Sequence, residues 1–333
     1  MKLEKIKDAL LASKRPLFFF DDDPDGLCSF LQLYKQLGEG KGIIIKTTPR
    51  IDMKFLRFVH GYEPDRVFIL DIAHVEDEFI QAVNVPIVVI DHHEPKDYHG
   101  VDYFNPRKES IISCTSAVIY DTFKDNLWIA AIGAVADWIM PVFIEEFKEK
   151  YPDLVGELEI EKLLFESKLG QLCRVFSFNM KGKHSDVSKS MKILTRIKSP
   201  YEILNQETPA GKFVWKRFQA GERVYQGLVE DARKHADGGF LVFIYGDDRL
   251  SLSKDLANQM LHEFPDKVII VGRKRSGSAK LSIRSKKNLP PILAESLQGV
   301  DGFGGGHEHA CGCVVNEEDF DRWLDGFRKL CSK

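Results

Sequence analysis

Three apolar runs, each closed by acidic residues, constrain this chain more than anything else in it. "LFFFDDDPDG" (17–26), "FILDIAH" (68–74) and "VIDHHEP" (89–95) all step from an uninterrupted apolar stretch directly onto carboxylates. Runs that are apolar at every position fit strands covered on both faces, as parallel strands are, better than half-exposed ones. "PLFFF", "GIIIK", "RVFIL" and "PIVVI" alternate with amphipathic stretches such as "SFLQLYKQLG" and "VEDEFIQAV", which is a βαβ rhythm. The expected fold class is α/β, with a doubly wound, mainly parallel sheet. The carboxyl ends of such strands form one rim, so the acidic residues should meet in one cleft.

A chain of 333 residues, 44% hydrophobic, can build one large or two medium cores. No run approaches the roughly 20 apolar residues that span a bilayer, and "MKLEKIKDALLASK" lacks the apolar core of a secretory signal, so a cytoplasmic location without membrane contact is expected. The six cysteines (28, 114, 173, 311, 313 and 331) are irregularly spaced, which argues for reduced thiols rather than a disulfide framework. A net charge of −3 excludes a broadly basic nucleic-acid coat but leaves room for a local basic patch.

A single aspartate at a strand end reads as a helix N-cap, which would account for Asp25 alone. It does not account for Asp21, Asp22, Asp23 and Asp25 together, since carboxylates this close repel unless a cation sits among them. Alternation along an extended segment turns Asp21, Asp23 and Asp25 one way and Asp22 the other, so Asp22 is left out of the site. Carboxylates with a few imidazoles and no convergent thiolates suit Mn²⁺ or Mg²⁺ before Zn²⁺, and two ions rather than one. Asp137, in the small-residue stretch "AAIGAVADWIM", is either a further ligand or simply a satisfied aspartate at a helix end.

"DDDPDG", "FILDIAH", "VIDHHEP" and "GAVADW", in that order, resemble the four motifs of the DHH phosphoesterase family. "LSIRSKKN" and "GFGGGHEHACGCVV" resemble the DHH-associated C-terminal domain carried by RecJ-like exonucleases and NrnA-type oligoribonucleases. The resemblance implies one metal held by Asp21, Asp23 and Asp71, and a second held by Asp25, Asp71, His92 and Asp137, with Asp71 shared. Family II pyrophosphatases and NrnA-type enzymes carry a histidine where this chain has Phe19, and Asp21 would take over that ligand role. Asp91 would orient an imidazole and His93 would face the phosphate, so that Asp71, His93 and the downstream His307 form the expected catalytic set. The implied cofactor is a pair of Mn²⁺ ions, with Mg²⁺ as the substitute.

In the second half, consecutive glycines Gly304, Gly305 and Gly306 let backbone N–H groups approach an anion, with His307 as an added donor. Residues 273–287 hold seven Lys or Arg and no acid. Arg273, Lys274 and Arg275 read as a solvated surface. Alternation places Lys280, Ser282 and Arg284 on one strand face, with Ser285 next to them, as a substrate-binding platform led by Arg284. His307, His309, Cys311 and Cys313 raise zinc as an alternative, but ligands spaced by two along one strand spread too far to close a tetrahedron. The two cysteines read as strand packing.

The expected domains are a metal-binding catalytic domain over 1–185, a mainly helical linker over 186–236 containing a long amphipathic helix (213–236), and a substrate-binding domain over 237–333. The active site is expected in a cleft between the two domains. With no insertion large enough for an extra nucleic-acid module, the expected activity is a two-metal phosphodiesterase: a RecJ-like exonuclease or oligonucleotidase that releases nucleoside monophosphates from single-stranded DNA or RNA. The alternatives are a phosphatase acting on adenosine bisphosphate, a cyclic-dinucleotide phosphodiesterase, and a non-catalytic nucleic-acid-binding subunit. Single-stranded nucleic acid, replication or repair proteins and a second copy of the chain are the candidate partners.

Overall fold

The computed structural model describes residues 3–46, 50–246 and 251–332. The chain divides into two compact units, Met1–Phe218 and Gln219–Lys333.

The first unit begins with α1 (Glu4–Leu11), β1 (Pro16–Asp21), α2 (Pro24–Leu37), β2 (Lys41–Ile45), β3 (Arg50–Ile51) and α3 (Leu56–Tyr62). It continues through β4 (Arg66–Leu70), β5 (His74–Val75), α4 (Asp77–Ala82), β6 (Ile87–Ile90) and β7 (Asp102–Phe104). Five of these strands form a parallel sheet in the order β2-β1-β4-β6-β7, while β3 and β5 pair separately. The chain thus runs from β1 outward to β2 and then returns to the other side of β1 for β4. That reversal is the topological switch point at which doubly wound sheets bind ligands.

Why β1 is apolar throughout is visible in its neighbours. Phe18, Phe19 and Phe20 are all fully buried. Phe18 and Phe20 meet Phe30 of α2 at ring centroids of 5.5 and 4.8 Å, whereas Phe19 packs edge-on against Phe55 and Phe79 on the opposite face at 6.1 and 6.0 Å. With both faces covered, truncating any of the three to alanine should cost about 3–5 kcal/mol. Phe19 is therefore core and offers no ligand to the residues that follow it.

Helices α5 (Thr115–Phe123), α6 (Leu127–Ala136), α7 (Ile144–Lys150), α8 (Ile160–Glu166) and α9 (Lys168–Asn179) follow. Helices α5 and α6 pack on α2, and Gly133 of α6 permits this: a Cβ there would lie 2.8 Å from Ser116 Cβ and 3.0 Å from Cys28 Cβ. The expected linker begins instead with α10 (His184–Leu194) and α11 (Pro200–Leu204), both of which belong to the first unit. Val187 and Leu194 are buried, and Lys35 Nζ donates to the carbonyls of Thr195 and Ile197 at 3.0 and 2.6 Å. The long amphipathic helix is α12 (Pro209–Arg233), and the boundary between units falls inside it.

The second unit contains β8 (Ala236–Asp237), β9 (Phe240–Tyr245), α13 (Ser253–Glu263), β10 (Val268–Arg275), β11 (Ser278–Arg284), α14 (Leu289–Ser296), β12 (Gly302–His307), β13 (Ala310–Asn316) and α15 (Phe320–Cys331). Its six-stranded mixed sheet has the order β12-β13-β11-β10-β9-β8. Ala279, Leu281, Ile283, Cys311, Cys313 and Val315 face a core completed by Leu293, Trp323 and Phe327. All six cysteines of the chain are free and buried. Among the described residues no helix is long and apolar enough to cross a membrane.

Candidate metal centre

The centre is built where β1 and β4 end at the switch point. Asp21 closes β1, and Asp23 caps α2, its Oδ1 accepting the Gly26 N–H at 3.1 Å with Pro24 in the first helical turn. The cap is thus Asp23 and not Asp25, because the extended segment stops at Asp23 and alternation does not continue beyond it. Gly26 is required by this tight start: a Cβ there would sit 2.8 Å from both the N and O of Asp21.

Asp25, in the first turn of α2, is 1% exposed. Its Oδ2 accepts the Thr115 N–H at 2.9 Å and its Oδ1 the Ser116 N–H at 3.0 Å, so the start of α5 grips both oxygens. The Thr115 hydroxyl also donates to Asp71 Oδ1 at 3.3 Å. Thr115 and Ser116 are missing from the sequence reading, because their contacts bridge 90 and 91 positions to Asp25 and 44 to Asp71, and nothing in "SCTSAV" marks them. Asp71 sits at φ +59°, a left-handed conformation that non-glycine residues adopt at a cost and that clusters at functional sites. Its N–H is held by Ile90 O at 2.9 Å.

His92 Nε2 lies 3.2 Å from Asp71 Oδ1 and 3.5 Å from Asp137 Oδ2. Asp137 ends α6 as its C-cap, so its helix-end placement and its position in the cluster coexist. His93 Nδ1 is 2.7 Å from Asp91 Oδ1, while Asp91 itself is buried. Three sets of donor atoms converge within 4.8 Å: Asp21, Asp23 and Asp71; Asp25, His92 and Asp137; and Asp71, His92 and His93. Asp71 and His92 each belong to two sets. His93, expected to face only a phosphate, is therefore also within reach of a metal.

Burial, followed by the charges of Asp25, Asp23, Asp137 and Asp21, holds the Asp71 carboxyl well above the ordinary aspartate range. Carboxylates this close repel one another, and the oxygen and imidazole donors of the cluster fit a hard divalent cation. The thiols of Cys28 and Cys114 are raised first by burial and then by the charge of Asp25, and neither thiol joins a converging donor set among the described residues.

In the second unit, antiparallel register lines up Arg284, Ala310 and His307 in one row across β11, β13 and β12. The next rows are Ser282, Gly312 and Gly305, then Lys280, Val314 and Phe303. Gly305 and Gly312 leave a strip with little side-chain bulk between a cationic row and a row ending in Phe303, which is 72% exposed. Arg284 is set by Nε donation to Asn258 Oδ1 at 2.5 Å and by Nη1 donation to Ile283 O at 2.8 Å, and burial lowers its guanidinium to about 10.

Ser285 does not join this face. It is buried, and its hydroxyl accepts the Lys287 N–H at 3.2 Å, as the opposite parity along the strand dictates. Gly304 points the other way too, since a Cβ there would meet Cys313 Cβ at 2.5 Å. His307 and Cys311 lie on opposite sides of a hairpin turn rather than along the single strand expected from their spacing. Among the described residues these histidines and cysteines still form no converging metal set. Lys274 is exposed as expected, and the side chain of Arg275 lies outside the described residues.

Fold and site together define a two-unit α/β protein with a carboxylate and imidazole centre at a sheet switch point. Residues 17–140 match the DHH family, N-terminal domain, and residues 239–333 match the DHHA1 domain. The chain belongs to the DHH phosphoesterase family and carries a C-terminal DHHA1 domain. No curated protein gives a significant match. Among solved structures, RecJ from Thermus thermophilus in complex with Mn²⁺ is 15% identical, with a TM-score of 0.68 over 99% of this chain and 54% of that one. This chain thus spans about half of that RecJ. An exonuclease RecJ bound to manganese is 13% identical, with a TM-score of 0.60 over 99% of this chain and 93% of that one. A pGpG-specific phosphodiesterase from Vibrio cholerae is 13% identical, with a TM-score of 0.51 over 96% and 99% of the two chains. At such identities the likeness is one of fold.

Proposed function

We propose that the protein is a divalent-cation-dependent phosphodiesterase that hydrolyses single-stranded DNA or RNA ends, or short oligonucleotides, to nucleoside monophosphates. The observation carrying this reading is the buried Asp71, fixed at φ +59° and shared by two of the three converging donor sets. Asp21, Asp23 and Asp71 would hold one Mn²⁺ or Mg²⁺, and Asp25, Asp71, His92 and Asp137 a second. Cations held there supply a water acidified towards neutral pH and neutralise charge that develops on a phosphoryl group.

The remaining work falls to the chain's own groups. Thr115 and Ser116 keep Asp25 and Asp71 from swinging away from each other under mutual repulsion. With Nδ1 committed to Asp91, His93 keeps Nε2 to donate to a phosphate oxygen or to move a proton to the leaving oxygen. Arg284, Lys280, Ser282 and His307 bind substrate phosphates, and Gly305 lets a strand approach the sheet.

The reading is tested with purified protein, Mn²⁺ and end-labelled single-stranded DNA and RNA from dinucleotides upward. Linear pGpG, adenosine bisphosphate and a cyclic dinucleotide are run in parallel. Stepwise shortening to mononucleotides supports the proposal. Intact strands beside cleaved adenosine bisphosphate or cyclic dinucleotide would replace it with a small-nucleotide activity, and inertness towards all of them would leave a binding subunit.

A further inference from the structure

A second feature of the first unit lies outside the metal centre. Strand β2 is an edge of the parallel sheet, and along it runs a groove of about 870 Å³. Its sides come from α2 and α10 on one face of the sheet and from α3 with the short turn before it on the other. From Lys41 to Lys46 the edge extends about 17 Å.

The lining combines two kinds of side chain. Tyr34, Phe55, Phe58 and Tyr62 give it half-buried aromatic surface. Lys41, Lys46, Arg57, Lys192 and Arg196 give it charge, and no carboxylate lines it. None of these five cations forms an ion pair with a described carboxylate. Cations and rings are interleaved: Lys41 Nζ lies 5.3 Å from the Tyr62 ring centre and Arg57 Cζ 4.8 Å from that of Phe58. In a chain of net charge −3, an acid-free groove with five cations is a local concentration of positive potential.

The groove also has a direction. Ile45, the last residue of β2, pairs with Asp21, the last residue of β1. Lys46 therefore stands one residue beyond the point where β2 lies beside the metal centre. A ligand following the edge from Lys41 to Lys46 is led to the carboxylate rim.

We infer that the β2 groove is a binding track for single-stranded nucleic acid that guides a strand towards the metal centre, its phosphates on the cationic rims and its bases against the aromatic sides. The inference rests on the reading of the chain as a nucleic-acid hydrolase. A polyanion with a flat face at every repeat satisfies both kinds of side chain, since stacking on aromatic rings tolerates any base and lysine or arginine contacts replace condensed counterions. A peptide strand added to the β2 edge would use its backbone groups but would leave five cations unanswered.

The test separates binding from cleavage by working in EDTA. Fluorescence anisotropy with labelled single strands of about 12 nucleotides gives the affinity and its salt dependence for wild type and for Arg57→Gln/Lys192→Gln/Arg196→Gln. All three side chains are exposed, and thermal melts check the fold. A control, Lys5→Gln/Lys7→Gln/Lys148→Gln, removes the same charge outside the groove.

The expected result is at least about a tenfold loss of affinity for the groove variant and a salt slope shallower by about 2, at roughly 0.7 per lost contact. The control should stay near wild type. Equal affinity in the groove variant, or an equal loss in the control, overturns the inference. Unchanged affinity with lost self-association in sedimentation would instead assign the groove to a second copy of the chain. Because no metal is present, failure of the groove leaves the hydrolytic reading standing, and an inactive protein that still loses affinity in the groove variant would refute hydrolysis while keeping the track.

Discussion

Asp91 holds His93 twice: Oδ1 lies 2.7 Å from the imidazole Nδ1, and Oδ2 accepts the same residue's backbone N–H at 3.2 Å. A buried carboxylate so placed fixes both the tautomer and the plane of the ring, leaving Nε2 as the working nitrogen. Asp91→Asn should therefore lower kcat by about 10–100-fold with KM nearly unchanged, and shift the pH–rate profile. A variant with wild-type kcat and pH profile would show that His93 needs no such partner.

The Thr115 hydroxyl is the side-chain link between α5 and Asp71. Thr115→Ala should weaken Mn²⁺ binding about tenfold in calorimetric titration, and Thr115→Ser, which keeps the hydroxyl, should restore it. If serine fails to restore binding, the residue acts by packing and not through its hydroxyl.

Proton linkage gives Asp71 a distinct signature. Its raised carboxyl means that the metal-free native state keeps a proton which the unfolded chain has already released, so stability falls as pH rises from the ordinary aspartate range through the native value. Asn carries no charge and tolerates the left-handed conformation. Metal-free Asp71→Asn should then melt above wild type at neutral pH, with the gap closing in acid, and Mn²⁺ should raise the wild-type midpoint more than that of the variant. Differential scanning fluorimetry across pH reads both. A variant that melts below wild type at every pH would refute the account of Asp71.

Adjacent glycines of β12 separate folding from binding. Gly304→Ala drives a Cβ to 2.5 Å of Cys313 Cβ and 2.7 Å of Gly312 O, and should cost roughly 1–3 kcal/mol in denaturant titrations. Gly305→Ala meets nothing within 4 Å, so stability should stay within about 0.5 kcal/mol while KM for oligonucleotides rises. An unchanged KM would remove the β12 face from substrate binding.

What could be read ahead of the structure was local. "LFFF", "VFIL" and "IVVI" are strands because each is apolar throughout, and the residues after them meet because parallel strands place their carboxyl ends on one rim. The facing of Lys280, Ser282 and Arg284 followed from strand alternation in the same way. Alternation stops short of Asp25, where Pro24 had already begun a helix, whereas Ser285 turns away because its parity is opposite to that of Lys280, Ser282 and Arg284, so being next to Arg284 in the chain was no guide to its direction. The clamp of Thr115 and Ser116 on Asp25 depends on chain-distant packing, the row from Arg284 to His307 on register across a third strand, and the β2 groove on which strand ends up at the sheet edge. No local pattern encodes any of these.

The most direct measurement counts Mn²⁺ bound to wild type and to Asp71→Ala by equilibrium dialysis, and follows cleavage of an end-labelled single strand in the same samples. Wild type should bind two ions per chain and shorten the strand only when metal is present, with binding weakened at both positions and cleavage abolished in the variant. Wild type that binds no Mn²⁺, or a variant that still cleaves as wild type does, would contradict the proposed function.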